Sequence, residues 1–555
     1  MSFNVSPKRI YACLIIFGLV ILVVVGRLFW LQVIDAEAKT KEAIQSRTIR
    51  YETMPKRGTI YDRNGNVLAY STEAKTVYAN PSEIENDEEV ANKLAKHLGG
   101  GASDYIDKIS NKELKFSYIK RRIDIEVANA IKAESITGIY FQDDQKRIYP
   151  YGEVAGQIIG SINIDGVGLC GIELYYDDLL RGSTGRTIRQ QGNQGMPIPG
   201  GVLQEISVVD GQDIMLSIDI ELQKKVEDTL VAWNKKIGTS SMNSVLMDPT
   251  NGEIYAAASL PLLNPADLST AEEGATDLKC ISTNFEPGST FKSFAVMSML
   301  EDNALTPDTQ IYCPYSIEAD GFTIKDAKDR SSQTFTLREI LARSSNVGVS
   351  LATEMYGWDR YHDKFSKYRI LDQTEVDYPG DGEGYVLDFS KWSKIHAYNI
   401  SFGQGVSVTP LQLVKFYSAI ANNGVEKTPH FLMRYLQSEV DEEYDEYEII
   451  DNKNAIPTML SMLRSVVTDG TGELAEIPGY GVVGKTGTGE IADQNGEYIE
   501  GSYFSSFIGF LNSSNVPMLC FVGGEKAPTD TTMTPVWKEI MMATIERLKL
   551  AAKGS

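Results

Sequence analysis

Histidine and cysteine are scarce in this 555-residue chain, with four of the first and five of the second. No two of Cys13, Cys170, Cys280, Cys313 and Cys520 have the CxxC spacing of zinc or dithiol redox sites. None of His97, His362, His396 and His430 sits in an HExxH pattern, so the sequence offers no metal site and disfavours a histidine-based triad. Positive charge is also short. Lys and Arg number 53 against 75 Asp and Glu, a formal net charge of −22, which argues against a nucleic-acid partner, since a phosphate backbone attracts basic surfaces, and disfavours broad adhesion to anionic lipid. A dinucleotide fingerprint is missing: Gly152, Gly156, Gly160, Gly166, Gly168 and Gly171 are frequent but do not form GxGxxG opening a helix after a strand, so they read as turns and close backbone approaches. No organic cofactor is expected. If the chain is exported, the four cysteines beyond Cys13 allow three disulfide connectivities, but buried free thiols are the simpler expectation.

What is present begins with an anchor. Residues 10–34 are apolar apart from Arg27 and Gln32 and are long enough as a helix to cross a ~30 Å hydrocarbon core. Lys8 and Arg9 flank the N-terminal side, which puts residues 1–9 in the cytoplasm and the rest outside it. Gly26 is followed by Arg27 and bulky residues rather than a small-x-small site, which favours an uncleaved membrane helix over a signal peptide.

The length allows two to four domains. Asp35 to about Arg50 reads as a helical, charged continuation. Arg57–Ala69 reads as a hairpin turning at Asn64-Gly65, and residues 85–135 as short helices of a small α/β module. Gly192–Gly201 reads as a loop near a boundary, giving a module over 35–209 and a second domain over 210–555. In the second domain, Asp213–Ile218 reads as a strand. Leu222, Val226, Leu230, Trp233 and Ile237 form one helical stripe. Strand pairs are expected around Asn251-Gly252 and around Asn512–Asn515, and a last helix at Thr534-Pro535 with a cap and a first-turn proline. Strands at both ends with helices between predict an α+β fold whose termini meet in one antiparallel sheet.

Three short words carry chemistry: Ser289-Thr290-Phe291-Lys292, Ser344-Ser345-Asn346 and Lys485-Thr486-Gly487-Thr488. Ser-x-x-Lys alone is cheap, since Ser117-Tyr118-Ile119-Lys120 also fits. The instance at Ser289 follows Pro287-Gly288 and leads into a helix too apolar all round to be exposed. That places Ser289 and Lys292 on one face, and a desolvated lysine can act as a base near neutrality. In the second word a hydroxyl at Ser344 suits relay of a proton, and Ser345 and the Asn346 amide suit a peptide substrate. In the third, Thr486 and Thr488 share a strand face beside an ammonium, a carboxylate site, and Gly487 removes a side chain so that the serine helix comes close. The words matter as an ordered set.

Together they resemble the penicillin-binding protein and serine β-lactamase superfamily, and the form Ser344-Ser345-Asn346 is similar to that of the class B penicillin-binding proteins. The likeness extends over nearly the whole chain. Arg57-Gly58-Thr59-Ile60-Tyr61-Asp62-Arg63-Asn64-Gly65 resembles the class B N-terminal signature. Gly171-Ile172-Glu173-Leu174 with Leu180-Arg181-Gly182 resembles its second element, and Phe402–Pro410 the segment lining the cleft. No glycosyltransferase-like sequence precedes these words, which disfavours a bifunctional class A enzyme.

The resemblance implies a single transmembrane helix, a small pedestal or dimerisation-type domain and a transpeptidase domain. It implies an extracytoplasmic peptidoglycan D,D-transpeptidase that takes stem peptides ending in D-Ala-D-Ala, is acylated by β-lactams and serves division-type wall synthesis. In this reading Ser289 is the nucleophile, Lys292 its base, Ser344 a proton relay, and Asn346 orients the donor. Lys485, Thr486 and Thr488 hold the terminal carboxylate, and the backbone N–H groups of Ser289 and Thr488 form an oxyanion hole. The implied partners are a membrane glycan polymerase of the FtsW/RodA type and divisome proteins. A hydrolase of the D,D-carboxypeptidase or β-lactamase kind, a β-lactam sensor and a catalytically inactive scaffold stay open as alternatives.

Overall fold

The computed structural model describes residues 7–36, 48–191, 197–437, 442–492, 498–528 and 531–553. Helix α1, Pro7–Phe29, continues into a π-helical turn, Trp30–Ile34, and its apolar side chains are exposed along its length. At 1.5 Å per residue the 28 residues Pro7–Ile34 extend about 42 Å, enough to span a bilayer core. The helical continuation expected after the anchor lies mostly outside the described residues. Its far end is strand: Thr48–Thr53 begins a three-stranded antiparallel sheet with Gly185–Gln191 and Pro197–Ile206. Pro197–Gly201, expected as loop, is therefore strand, because pairing with Gly185–Gln191 outweighs the local Pro and Gly preferences; residues 192–196 lie outside the described set.

The described chain divides into two compact units, Met1–Lys56 with Gly182–Gly211, and Arg57–Arg181 with Gln212–Ser555. In the second unit the hairpin at Asn64-Gly65 is formed, with Ile60–Tyr61 against Val67–Ala79 and Gly65 at φ +84°. Three helices, Asp87–Leu98, Ser103–Ile109 and Ile125–Ala133, cover one face of Val67–Ala79 and Ser117–Ile123, closing a core of Val77, Leu94, Ile109, Ile119 and Ile131. Ile60–Tyr61 also pairs in parallel with Ile214–Leu216, which pairs with Leu432–Tyr435. One six-stranded sheet thus joins this module to the following region.

The two stretches that resemble a family signature meet in a buried ionic cluster. Arg57 donates to Glu173 at 2.6 Å and to Asp177 at 2.7 Å, and Arg147 donates to the other Glu173 oxygen at 2.7 Å. The Glu173 side chain is fully buried.

The larger region is built on five antiparallel strands: β1 Ser241–Met247, β2 Ile254–Ser259, β3 Val482–Ala492, β4 Tyr498–Leu511 and β5 Leu519–Ala527, in the order β2-β1-β5-β4-β3. The ends of the domain sequence meet in one sheet, as the strand pattern predicts. Two-residue alternation sends Leu246, Val522 and Phe507 to one face and Val245, Phe521 and Ile508 to the other. Helix α2, Ile220–Ile237, capped by Asp219, lays Leu222, Val226 and Leu230 on the first face. There it meets α8, Thr534–Leu548, with Trp537 and Ile540. Met533, without a side-chain cap, precedes α8, and Thr534 is already inside it. On the second face lie α3 Lys292–Glu301, α4 Leu337–Arg343, α5 Asn346–Tyr356, α6 Pro410–Ala421 and α7 Ala455–Thr468. Every residue of α3 is buried, with Phe294 packed among Phe291, Tyr361, Phe365, Tyr368 and Phe416. Cys280, Cys313 and Cys520 are buried free thiols.

Candidate active site

The turn before α3 is a 3₁₀ segment, Gly288–Phe291. In that geometry residues three apart eclipse one another, so Lys292 stands directly over Ser289, and its Nζ lies 2.9 Å from Ser289 Oγ. Gly288 adopts φ +51°, and a Cβ there would come within 2.3 Å of the Thr488 carbonyl oxygen. The turn is also fixed from behind. Gly288 N donates to the Gly403 carbonyl at 3.0 Å, Gly405 N to Glu286 at 2.8 Å, and Tyr417 OH to the Thr290 carbonyl at 3.0 Å. The segment Phe402–Pro410 thus packs on the serine turn.

The second word is an elbow between helices. A capping box between Thr336 and Glu339 starts α4. Ser344 ends it in the left-handed region at φ +61°, and Ser345 caps α5 by accepting from Gly348 N at 2.9 Å. The elbow turns three oxygens toward one amine: Lys292 Nζ lies 2.7 Å from the Ser344 carbonyl, 3.1 Å from Ser344 Oγ and 2.7 Å from Asn346 Oδ1. Ser345, expected at the substrate, is placed otherwise. It is buried, and its hydroxyl is spent on the helix cap and on the Asp326 carboxylate at 2.8 Å, because its neighbours on either side face the crevice and it turns away from them.

The third word lies on β3, paired Lys485 to Ile508 and Thr488 to Ser505. Lys485 Nζ is 3.0 Å from Ser344 Oγ and 3.3 Å from Thr486 Oγ1. Ser344 therefore stands between two ammonium groups. Thr486 is half-buried and Thr488 exposed. A Cβ on Gly487 would meet Thr290 Cγ2 at 2.8 Å and the Pro287 carbonyl at 2.9 Å, so the strand approaches the serine turn as closely as its backbone permits. Residues 289, 344 and 485, far apart in the chain, line one crevice.

Thr471 carries no motif that would mark it in the sequence. Its hydroxyl lies 2.6 Å from Thr486 Oγ1, on a turn after α7 whose Gly470 sits against the Ala342 carbonyl; in sequence it is one more glycine-flanked loop residue.

Burial controls the electrostatics. It lowers the Lys292 ammonium to about 7, opposed only by the charge of Asp326. Burial first, and the adjacent Lys292 second, hold Lys485 well below the ordinary lysine range. Burial disfavours a charge on either amine, and a charge on Lys292 further disfavours one on Lys485, so an anion entering the crevice favours protonation there. Among the described residues no cluster of His, Cys, Asp and Glu is arranged to hold a metal ion.

Known proteins share both parts of this architecture. Residues 242–542 match the penicillin binding protein transpeptidase domain, and residues 52–216 match the penicillin-binding protein dimerisation domain. Stage V sporulation protein D of Bacillus subtilis is 30% identical over 529 residues, covering 94% of this chain and 82% of that protein. Peptidoglycan D,D-transpeptidase FtsI of Escherichia coli K12 is 32% identical over 489 residues, covering 85% of this chain and 80% of that one. The structure of penicillin binding protein 3 from Mycobacterium tuberculosis complexed with ampicillin superimposes with a TM-score of 0.71 at 25% identity, over 91% of this chain and 98% of that one. With both domain types matched in order and relatives at this identity along most of its length, the chain belongs to the class B penicillin-binding proteins.

Proposed function

We propose that this chain is a membrane-anchored peptidoglycan D,D-transpeptidase of the division type, acting through an acyl group on Ser289 and open to acylation by β-lactams. The observation that carries the reading is the placement of Lys292 Nζ within 2.9 Å of Ser289 Oγ and 3.1 Å of Ser344 Oγ, with Lys485 on the far side of the same hydroxyl at 3.0 Å.

A stem-peptide carboxylate entering beside Thr486 and Thr488 would draw the proton onto Lys485. By repulsion it would leave Lys292 neutral and basic. Ser289 Oγ then attacks the carbonyl of the penultimate D-Ala and its proton passes to Lys292. The backbone N–H groups of Ser289 and Thr488 would receive the developing oxyanion. As the C–N bond breaks, Ser344 delivers a proton to the departing D-Ala nitrogen, and Asn346 holds the donor backbone. An amine from a second stem attacks the ester and Ser289 regains its proton. Gly487 serves by its missing side chain. No step calls for a metal or an organic cofactor.

In the same reading residues 10–34 anchor the protein with residues 1–9 cytoplasmic. Residues 35–209 form the pedestal and 210–555 the transpeptidase domain. A membrane glycan polymerase of the FtsW/RodA type and divisome proteins are the partners. The name of the Escherichia coli relative, a peptidoglycan D,D-transpeptidase at 32% identity, supports the activity.

Ser289→Ala tests the core of the proposal. The variant should fold and lose all covalent labelling by fluorescent penicillin; labelling that persists means that the nucleophile is another residue. A wild-type acyl-enzyme that hydrolyses within seconds would point to water as the acceptor.

A further inference from the structure

The three-residue elbow that presents Ser344 and Asn346 to Lys292 is not held by its own helices alone. A hairpin of Ser316–Ala319 and Phe322–Lys325 runs beside it, and the last residue of that hairpin and its successor each grip the elbow. The Lys325 carbonyl accepts from Asn346 Nδ2 at 3.0 Å. This fixes the amide so that Oδ1, its only acceptor, faces Lys292. Asp326 takes the other side. One carboxylate oxygen accepts from the Val347 backbone N–H at 2.9 Å and lies 3.0 Å from Ser345 Oγ; the second accepts from Ser345 Oγ at 2.8 Å and from Arg330 Nε at 2.5 Å. Arg330 is tied in turn to the Cys313 carbonyl at 2.9 Å. The carboxylate thus joins the first turn of α5 to a neighbouring strand pair, next to a serine whose backbone is left-handed.

We propose that Asp326 is a positioning residue for the acyl-transfer site: its carboxylate clamps the Ser344-Ser345-Asn346 elbow so that the oxygens of Ser344 and Asn346 converge on Lys292. This rests on the functional reading above and adds a residue outside the three words. Asp326 touches none of the proposed reacting atoms and acts through Ser345 and Val347.

Its charge has a second effect. Among the described residues the charged groups facing Lys292 are Lys485 on β3 and Asp326, the latter paired with Arg330, and Asp326 is the one that favours the protonated form. Replacing Asp326 by Asn keeps an acceptor for Val347 N–H, sets an amide donor where Arg330 and Ser345 both donate, and removes the charge. The elbow loosens and Lys292 deprotonates at lower pH.

The experiment is the second-order rate of acylation of the full-length chain by fluorescent penicillin across pH 5.5 to 9. Asp326→Asn should acylate at least about tenfold more slowly at pH 8, with the midpoint of its pH profile moved to lower pH. Ser345→Ala, which keeps the carboxylate and its Val347 contact, should slow acylation less and leave the midpoint where it was. Asp326→Asn with wild-type rate and midpoint overturns the proposal. So does a reduced labelled fraction at unchanged rate and midpoint, which would make Asp326 a residue of the fold only. If Asp326→Asn does not fold, Asp326→Glu decides: it keeps the charge but is one methylene longer, so slow acylation at an unmoved midpoint supports the clamp and a wild-type rate overturns it. Wild type and Ser289→Ala are run alongside. An unlabelled wild type or a labelled Ser289→Ala defeats the functional reading itself, whereas normal behaviour of both with an unaffected Asp326→Asn defeats only this inference.

Discussion

Lys292 is surrounded by neutral oxygens, from Ser289, Ser344 and Asn346, and among the described residues no carboxylate is in hydrogen-bonding contact with it. Such a shell orients an ammonium without repaying its lost hydration, and its pKa falls to about 7 for that reason. The sign follows for a base: below about pH 7 the amine is protonated and cannot accept the Ser289 proton. Acylation by a penicillin should therefore be about tenfold slower at pH 6 than at pH 8 and level off above that, read as the labelling rate over a pH series. Lys292→Arg, whose guanidinium stays protonated, should lower the rate by at least about a hundredfold at pH 8 and by less at pH 6. At this scale the sequence was informative where spacing itself encodes contact: Ser289 and Lys292 are three apart on a helical turn, so their meeting was legible. Ser345 was misread because Ser-x-Asn does not reveal which hydroxyl faces the crevice. That is decided by the left-handed Ser344, a tertiary outcome. Asp326 and Thr471 were invisible, since a lone Asp after a strand and a Thr between two glycines carry no periodic signal.

At the scale of elements, the crevice exists because β3 and the serine turn touch backbone to backbone. Gly487 and Gly288 sit on either side of that contact, each without room for a Cβ. Gly487→Ala should force the strand and turn apart by several tenths of an ångström. Overpacking of this kind costs about 1–3 kcal/mol, and a displaced carboxylate site costs rate as well, about a hundredfold for an error near 1 Å. Thermal melting and penicillin labelling of the same preparation should show both, with labelling hit harder than stability. The elements themselves were largely legible. The α2 stripe, the strands flanking Asn251-Gly252 and Asn512–Asn515, and their union in one sheet all follow from periods of 3.6 and 2. Pro197–Ile206 escaped because Pro and Gly dominate its local signal while its strand character comes from a partner.

Over the whole molecule, the feature that ties distant stretches together is the buried cluster around Glu173. Arg57, Arg147 and the Glu173–Asp177 pair come from three places along the chain, and sequence likeness marked two of these stretches as signatures without giving a physical reason. The reason lies in the pairing. Glu173 is fully buried between two guanidinium groups, one on each carboxylate oxygen, with the Arg57 and Arg147 side chains 6% and 2% exposed. Removing the carboxylate leaves Arg147 without its ionic partner and Arg57 with Asp177 alone, in a place water does not reach. Breaking a buried pair from one side costs about 3–5 kcal/mol, far more than its net contribution relative to apolar residues. Glu173→Ala should therefore lower the urea midpoint of unfolding by a large fraction of the stability of an ordinary domain. Glu173→Gln, which keeps the shape and two polar atoms, should lower it less. Asp228→Ala supplies the contrast: its pair with Lys224 lies on an exposed face of α2, with side chains 61% and 55% exposed, and a surface pair of this kind leaves the midpoint unchanged within error. Equal effects from Glu173→Ala and Asp228→Ala would mean that the signature stretches are joined by apolar packing rather than by charge.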